Sequence, residues 1–153
     1  MGSERHSRVR RVKYHFGEAS LAKLHTCSPL LVNVARRAIS ITPVDFTIVW
    51  GYRGEAEQNA LEASGASHKR YPESKHNRRT NGNPDSWALD FAPWVDGRIY
   101  WGDTHMFALV AGVILSCAAG RPQPVELRWG GDWDGDGKTT DQTLMDWGHV
   151  ELV

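Results

Sequence analysis

An excess of charge of either sign is missing from this 153-residue sequence, in which 18 lysines and arginines stand against 18 aspartates and glutamates. A balanced chain has no general pull toward a polyanion, so nucleic acid is not an expected partner. Cysteine is scarce as well. Cys27 and Cys117 are too few for a disulfide framework, and both fall in apolar, helix-like stretches where a buried free thiol is the ordinary outcome. Long hydrophobic runs are also lacking. The most apolar segment, residues 106–119, falls well short of the roughly 20 residues a membrane helix needs, and it reads as a core helix. The first residues carry charge but no apolar segment, so no secretory signal is expected. The protein is expected to be made in the cytoplasm and to stay there until something releases it, with no stable membrane insertion.

What is present suits one folded unit. A hydrophobic content of 41% and a charged content of 24% are ordinary for a globular protein, and the length allows a real core without staples. Seven tryptophans are many for this length, and Trp50, Trp101, Trp129, Trp133 and Trp147 sit beside Gly or Asp, as in an aromatic-walled cleft or plain rim packing. Charge is segregated along the chain. Arg5, Arg8, Arg10, Arg11 and Lys13 make residues 1–13 a flexible basic start, and Asp132, Asp134, Asp136, Asp141 and Asp146 make the end acidic.

Punctuation divides residues 14–153 into short elements. Ser20 is placed to cap a helix through Leu24, and Ser28-Pro29 to start another whose Leu30, Leu31, Val34, Ala35, Ala38 and Ile39 share one face. Thr42-Pro43 stops it. Residues 45–50 read as a strand, Gly51-Tyr52-Arg53-Gly54 as a turn, and residues 55–63 as a helix ended by Gly65. Residues 66–86 form a long polar loop, a feature that in compact domains is usually functional or disordered. A second strand is expected over 86–91, a turn-rich connection with Asp96-Gly97 over 93–102, and a helix over 106–119 capped by Asp103 or Thr104. A third strand over 125–129, a Gly/Asp loop over 130–140, a short helix over 141–145 and a last strand over 149–152 complete the chain. The expected fold is α+β: one domain with a small antiparallel sheet and packed helices.

Three stretches carry chemistry. Ser74-Lys75-His76 offers an imidazole, Ala88-Leu89-Asp90 a carboxylate in a strand-like run, and Asp146-Trp147-Gly148-His149 a second imidazole with an acid three residues before it. Two histidines and one carboxylate are a normal ligand set for a catalytic zinc, which keeps a position open for water. Amide hydrolysis further needs a carboxylate to move the water's proton and a cation for developing negative charge, roles that suit Asp146 and Arg53. Spacing alone leaves open that His76 and Asp90 are unrelated surface residues.

Gly51-Tyr52-Arg53 with Gln58, then Ser74-x-His76, Ala88-x-Asp90 and Asp146-x-x-His149-x-Glu151, resemble in order the M15 family of zinc peptidases. That family includes D-Ala-D-Ala carboxypeptidases, vancomycin-resistance dipeptidases and phage L-alanoyl-D-glutamate endopeptidases. The resemblance implies the D,D-peptidase fold shared with hedgehog domains. It implies zinc on His76, Asp90 and His149, Asp146 as proton carrier and Arg53 as the substrate-stabilising cation. Asp rather than Glu at position 146 favours the phage endolysin branch. The implied activity is cleavage of the L-Ala–D-Glu bond in peptidoglycan stem peptides by a monomer that a holin releases from the host cytoplasm. Gln58, Ser74, Trp87 and Trp147 border these motifs and are the expected substrate-binding residues. D-Ala-D-Ala hydrolysis, or a non-catalytic wall-binding module with a structural metal, are the alternatives.

The family pattern Ser-x-His-x-x-Gly-x-Ala-x-Asp is departed from at one place. Thirteen residues separate His76 from Asp90, and Ser86 stands where Gly is expected. An inserted loop over 78–85, carrying Asn81-Gly82-Asn83-Pro84, accounts for the extra length and is where specificity is expected to differ. Asp132-x-Asp134-x-Asp136-Gly137 looks like the start of an EF-hand-type calcium loop, with Asp141 as a further oxygen donor. Thr143 occupies the position of the usual bidentate Glu, Thr140 is an alternative oxygen donor to Asp141, and a solvated acidic turn is the evenly matched alternative to a calcium site. Glu151 reads as a hydrogen-bond partner of His149 or as strand surface.

Overall fold

Residues 12–153 are described by the computed structural model, so most of the basic start expected over 1–13 lies outside the described residues. α1 (Glu18–Leu24) follows an extended Gly17, and α2 (Pro29–Ile41) follows Ser28, whose hydroxyl accepts from Leu30 N at 3.4 Å. Pro29 fits there because the first helical N–H has no partner in any case. Ser20 differs from its expected role as a cap. It sits inside α1, with Oγ 2.6 Å from Thr47 Oγ1 and accepting from Ile48 N at 3.1 Å, and so bolts the helix to β1 (Phe46–Trp50).

α3 (Glu55–Ala63) leads through a loop to a 3₁₀ turn (Lys75–Asn77) and a small hairpin, β2 (Arg79–Thr80) with β3 (Asn83–Pro84). Asn81 and Gly82 at its tip have φ of 51° and 79°, the left-handed pair that tight hairpins require. The ends of this excursion are pinned together: Trp87 N donates to Lys75 O at 3.0 Å, and Ser86 N donates to Thr26 O at 2.9 Å. An insertion closed at its base leaves the flanking residues where a shorter chain would put them.

β4 (Ala88–Val95) and β5 (Arg98–Ile99) turn at Asp96-Gly97, followed by α4 (Thr104–Ala119), β6 (Leu127–Trp129) and β7 (His149–Leu152). α4 is capped by Asp103, which accepts from His105 N and Met106 N. No helix among the described residues is long and apolar enough to cross a membrane. The main sheet is antiparallel in the order β1-β4-β7-β6, with β5 beside the far end of β4.

Two further expectations are corrected. The second strand runs on past Pro93, because backbone donors alternate sides and Trp94 N reaches Asp45 O on the β1 side. Proline's missing donor therefore faces the other side, beyond the point where β7 pairing has ended at Asp90↔His149. Residues 141–145 form no helix. The carbonyl of Leu144 is taken by Trp133 Nε1 at 2.7 Å, and Gln142 Oε1 by Trp133 N at 3.0 Å, so tertiary bonds replace the local ladder.

Alternation along the strands gives the sheet two faces. Leu89, Phe91, Leu127, Trp129, Val150 and Leu152 pack with the core that α2 and α4 cover, beside Leu31, Val34, Phe107 and Ile114. Asp90, Arg128, His149 and Glu151 occupy the intervening positions and so face the other way. Ser20→Ala strips the buried Ile48 N–H of its acceptor, which should lower unfolding free energy by about 1–3 kcal/mol. Urea unfolding followed by tryptophan fluorescence measures this, and an unchanged midpoint would refute the bolt.

Candidate active site

His76 is held from both ends. Its backbone N–H donates to Ser74 Oγ at 3.2 Å, and Asn77 closes the reciprocal bond by accepting from Ser74 N at 3.0 Å. The ring Nδ1 lies 2.7 Å from Gly51 O. A carbonyl only accepts, so Nδ1 donates there, and Nε2 is the nitrogen left to face the site. That Nε2 points at Asp90 Oδ1, 3.2 Å away, and at His149 Nδ1, 3.3 Å away. His149 is fixed in the same manner by a carboxylate: Glu151 Oε2 accepts from its Nε2 at 2.9 Å, which turns Nδ1 toward Asp90 Oδ1, also at 2.9 Å.

One donor atom from each of His76, Asp90 and His149 therefore lies within 4.8 Å of the other two, a group able to hold a metal ion. Each imidazole has its remote nitrogen on an oxygen acceptor, the usual support for a metal-binding histidine. Asp90's outer oxygen is ion-paired with Arg53 Nη2. Burial alone would raise the Asp90 pKa, but the neighbouring His76 and the bond from His149 hold it well below the usual carboxylate range. Burial likewise disfavours a charged His149. The flanking Asp90 and Glu151 outweigh it and push that pKa up to about 9. Glu151 falls to about 2, because bonds from His149 and Arg128 overcome its burial.

His76, His149, Glu151 and Arg128 line a cleft of about 720 Å³ that also takes in Arg53, Ser74 and Asp146, with Asp90 held behind the lining by its bonds to Arg53 and His149. Asp146 is positioned by backbone: its N–H donates to Gly130 O at 2.9 Å, and Gly130 must be glycine because a Cβ there would stand 2.3 Å from Asp146 O. Burial, and then the negative charge of Asp90, raise the Asp146 pKa above its ordinary value.

The expected substrate-binding residues separate. Ser74 lines the cleft but its hydroxyl holds the His76 backbone. Gln58 is fully buried behind Arg53, and its amide is committed to Lys69 O at 2.6 Å, Ser67 Oγ, Asn77 Nδ2 and Arg53 Nη1. Trp87 lies outside the cleft lining and stacks under Arg78 with 4.7 Å to the ring centre. Trp147 is also outside it and packs on Trp129. The aromatic wall is instead Trp133, whose ring centre is 5.6 Å from that of His149. Trp133 was one of five candidate wall tryptophans in the sequence, whereas Arg128 was unmarked: it binds Glu151 through Nε at 3.1 Å and through Nη2. The alternation of β6 and β7 was the available signal for it, since Arg128 and Glu151 are register partners.

The insertion over 78–85 contributes nothing to the cleft among the described residues; its walls come from residues 65–69 and 142–146. In the acidic loop, Asp132, Asp134 and Asp136 each place an oxygen within 4.8 Å of the others. Asp132 Oδ2 accepts from Gly137 N at 2.9 Å, and Gly137 has φ of 86°. Asp141 stands apart from the cluster and bonds Gln142 Nε2.

A family model described as phage L-alanyl-D-glutamate peptidase matches residues 12–153. The chain belongs to that family. The L-alanyl-D-glutamate peptidase of Escherichia phage T5 is 38% identical over 146 residues, which span 93% of this chain and 100% of the relative. The crystal structure of the Serratia marcescens L-Ala D-Glu endopeptidase ChiX shares the fold, with a TM-score of 0.67 at 23% identity over 96% of this chain and 94% of that one. Membership bears out the α+β fold and the resemblance on which it was expected. It also makes the chain a peptidase, which answers the non-catalytic alternative.

Gln58→Ala leaves Lys69 O and Asn77 Nδ2 short of a partner in a buried place. A stability loss of about 2–4 kcal/mol is expected. Equilibrium unfolding checks it, and a loss under about 0.5 kcal/mol, the size of an ordinary surface change, would refute the buried role.

Proposed function

We propose that this peptidase hydrolyses the amide between L-alanine and D-glutamate in peptidoglycan stem peptides, as a phage lysin, with zinc on His76, Asp90 and His149. The convergence of those three donors within 4.8 Å of one another, with His76 and His149 lining the same cleft as Asp146, carries the reading. Two nitrogens and one carboxylate oxygen from buried, hydrogen-bonded side chains fit zinc in an open catalytic site. When bound, zinc supplies a Lewis acid that acidifies water and polarises a carbonyl.

The protein groups do the rest. Asp146 takes a proton from the water that adds to the alanyl carbonyl carbon and returns it to the D-glutamyl nitrogen as the C–N bond breaks. Its raised pKa suits a group that must both accept and release that proton. Arg53 fixes the outer oxygen of Asp90 and places positive charge on the cleft wall, where negative charge develops on the substrate. Trp133 keeps one side of the site apolar. Synthesis in the host cytoplasm and release through a holin fit the phage family, and so does action as a monomer.

Asp146→Asn should bind zinc as the parent does yet lose at least about 100-fold in kcat, the scale of a general acid–base contribution. Digestion of purified peptidoglycan, with new termini read by mass spectrometry, tests the bond. Free D-glutamyl amines support the reading, and released D-alanine would replace it with D,D-peptidase action.

The Asp132–Asp136 loop is assigned a calcium ion. The hydrogen bonds from Asp136 N, Gly137 N and Lys138 N to its carboxylates already give the backbone the turn a cation loop needs. Trp133 sits inside this loop and against His149, so ordering the loop orders the site. Asp134→Ala should raise the calcium concentration needed for half-maximal activity about ten-fold or more. Equal activity of both forms in a calcium chelator that spares zinc would refute the assignment.

A further inference from the structure

The cleft holds more positive charge than its own carboxylates balance. Arg53 is paired with Asp90, and Arg128 with Glu151. Lys75 Nζ is 3.9 Å from the same Glu151 oxygen and donates to Leu152 O, so one carboxylate serves two cations as well as the His149 ring. Lys69 also lines the cleft, and it has no carboxylate within 4.0 Å among the described residues. Lys69, Lys75 and Arg128 line one and the same cleft.

Lys69 also stands on a fixed backbone. Its carbonyl accepts from the buried Gln58 Nε2 at 2.6 Å, and its N–H donates to Ser67 Oγ at 3.2 Å. Gln58 in turn bonds Arg53 and Asn77, so the loop bearing Lys69 is tied to the segments bearing the site. The ammonium is exposed while its anchor is not, an arrangement suited to meeting a solvated anion with little ordering left to do.

We propose that Lys69, with Lys75 beside it, forms a carboxylate subsite of the cleft that recognises the free carboxylate of the D-glutamate next to the scissile bond. The inference rests on the L-alanyl-D-glutamate reading above. A D-glutamate acylated on nitrogen keeps two carboxyl groups, and extending the peptide uses one. The other stands within a few bonds of the scissile nitrogen, and its charge vanishes where that carboxyl is amidated.

The test compares kcat/KM for two L-Ala–D-Glu peptides, one with this carboxylate free and one with it as the carboxamide, at low and high salt. Parent, Lys69→Gln and Lys69→Arg enzymes are used, all with zinc. An exposed charge pair predicts about a five-fold preference of the parent for the acid, shrinking at high salt. Lys69→Gln should bring the two peptides within about two-fold of each other, and Lys69→Arg should keep the preference. No preference in the parent, or an undiminished one in Lys69→Gln, overturns the subsite. Cleavage of neither peptide by the parent overturns the L-alanyl-D-glutamate reading and the subsite with it.

Discussion

The cross-strand pairing of Asp90 with His149 is the constraint on which the site depends. In an antiparallel ladder the side chains of directly opposed residues share a face and lie close, so this one register brings a carboxylate and an imidazole together without any loop to hold them. The same register puts Ala88 opposite Glu151 and, across β7, Arg128 opposite Glu151. Parity does the sorting. A slip of one residue would send Asp90, His149, Glu151 and Arg128 into the apolar core and Leu89, Phe91, Val150 and Trp129 toward the cleft. The hydrophobic effect that seals the core thus also enforces the geometry of the polar face, and the two cannot fail independently.

A chain of charges lies on that face. Arg53 meets Asp90, Asp90 meets His149, His149 meets Glu151, and Glu151 meets Arg128. Buried ion pairs of this sort are weak evidence for stability, since desolvation offsets much of the attraction. Their value here is orientation. Glu151 occupies Nε2 of His149, and Gly51 O occupies Nδ1 of His76, leaving the other nitrogen of each ring aimed inward. Two backbone or side-chain acceptors outside the metal group thereby decide which nitrogens are free to bind.

Much of this was legible in the sequence, for reasons that differ by residue. α2 and α4 announced themselves through Ser28-Pro29 and Asp103, because a cap is a local event. His76, Asp90 and His149 were legible through motifs of a few residues each. Arg128 was not, and Trp133 was legible only as one of five tryptophans beside Gly or Asp, since nothing local distinguishes a tryptophan that meets a histidine sixteen residues away from one that packs on the surface. Ser20 and the stretch 141–145 misled for the complementary reason. Local propensity favoured a cap and a helix, and bonds from Ile48 and Trp133, distant in sequence, used the same groups otherwise. Gln58 looked like a binding residue because it sits near Arg53 in the chain. Its full burial makes it a strut instead.

The insertion over 78–85 is the plainest departure from the family pattern, and novelty in sequence invites the assumption of novelty in function. Its geometry argues otherwise. Asp85 N donates to Arg78 O at 3.0 Å and Thr80 Oγ1 to Asp85 Oδ2 at 2.6 Å, so the hairpin closes on itself. Its strand residues are exposed, and it stands outside the cleft lining among the described residues. Because its base is pinned between Lys75 and Trp87, added length there changes neither ligand. Discrimination among stem peptides has to come from surfaces the peptide touches. On the proposed reading those are the cleft walls: the loop over 65–69, which Gln58 braces, and the segment over 142–146, whose shape depends on Trp133.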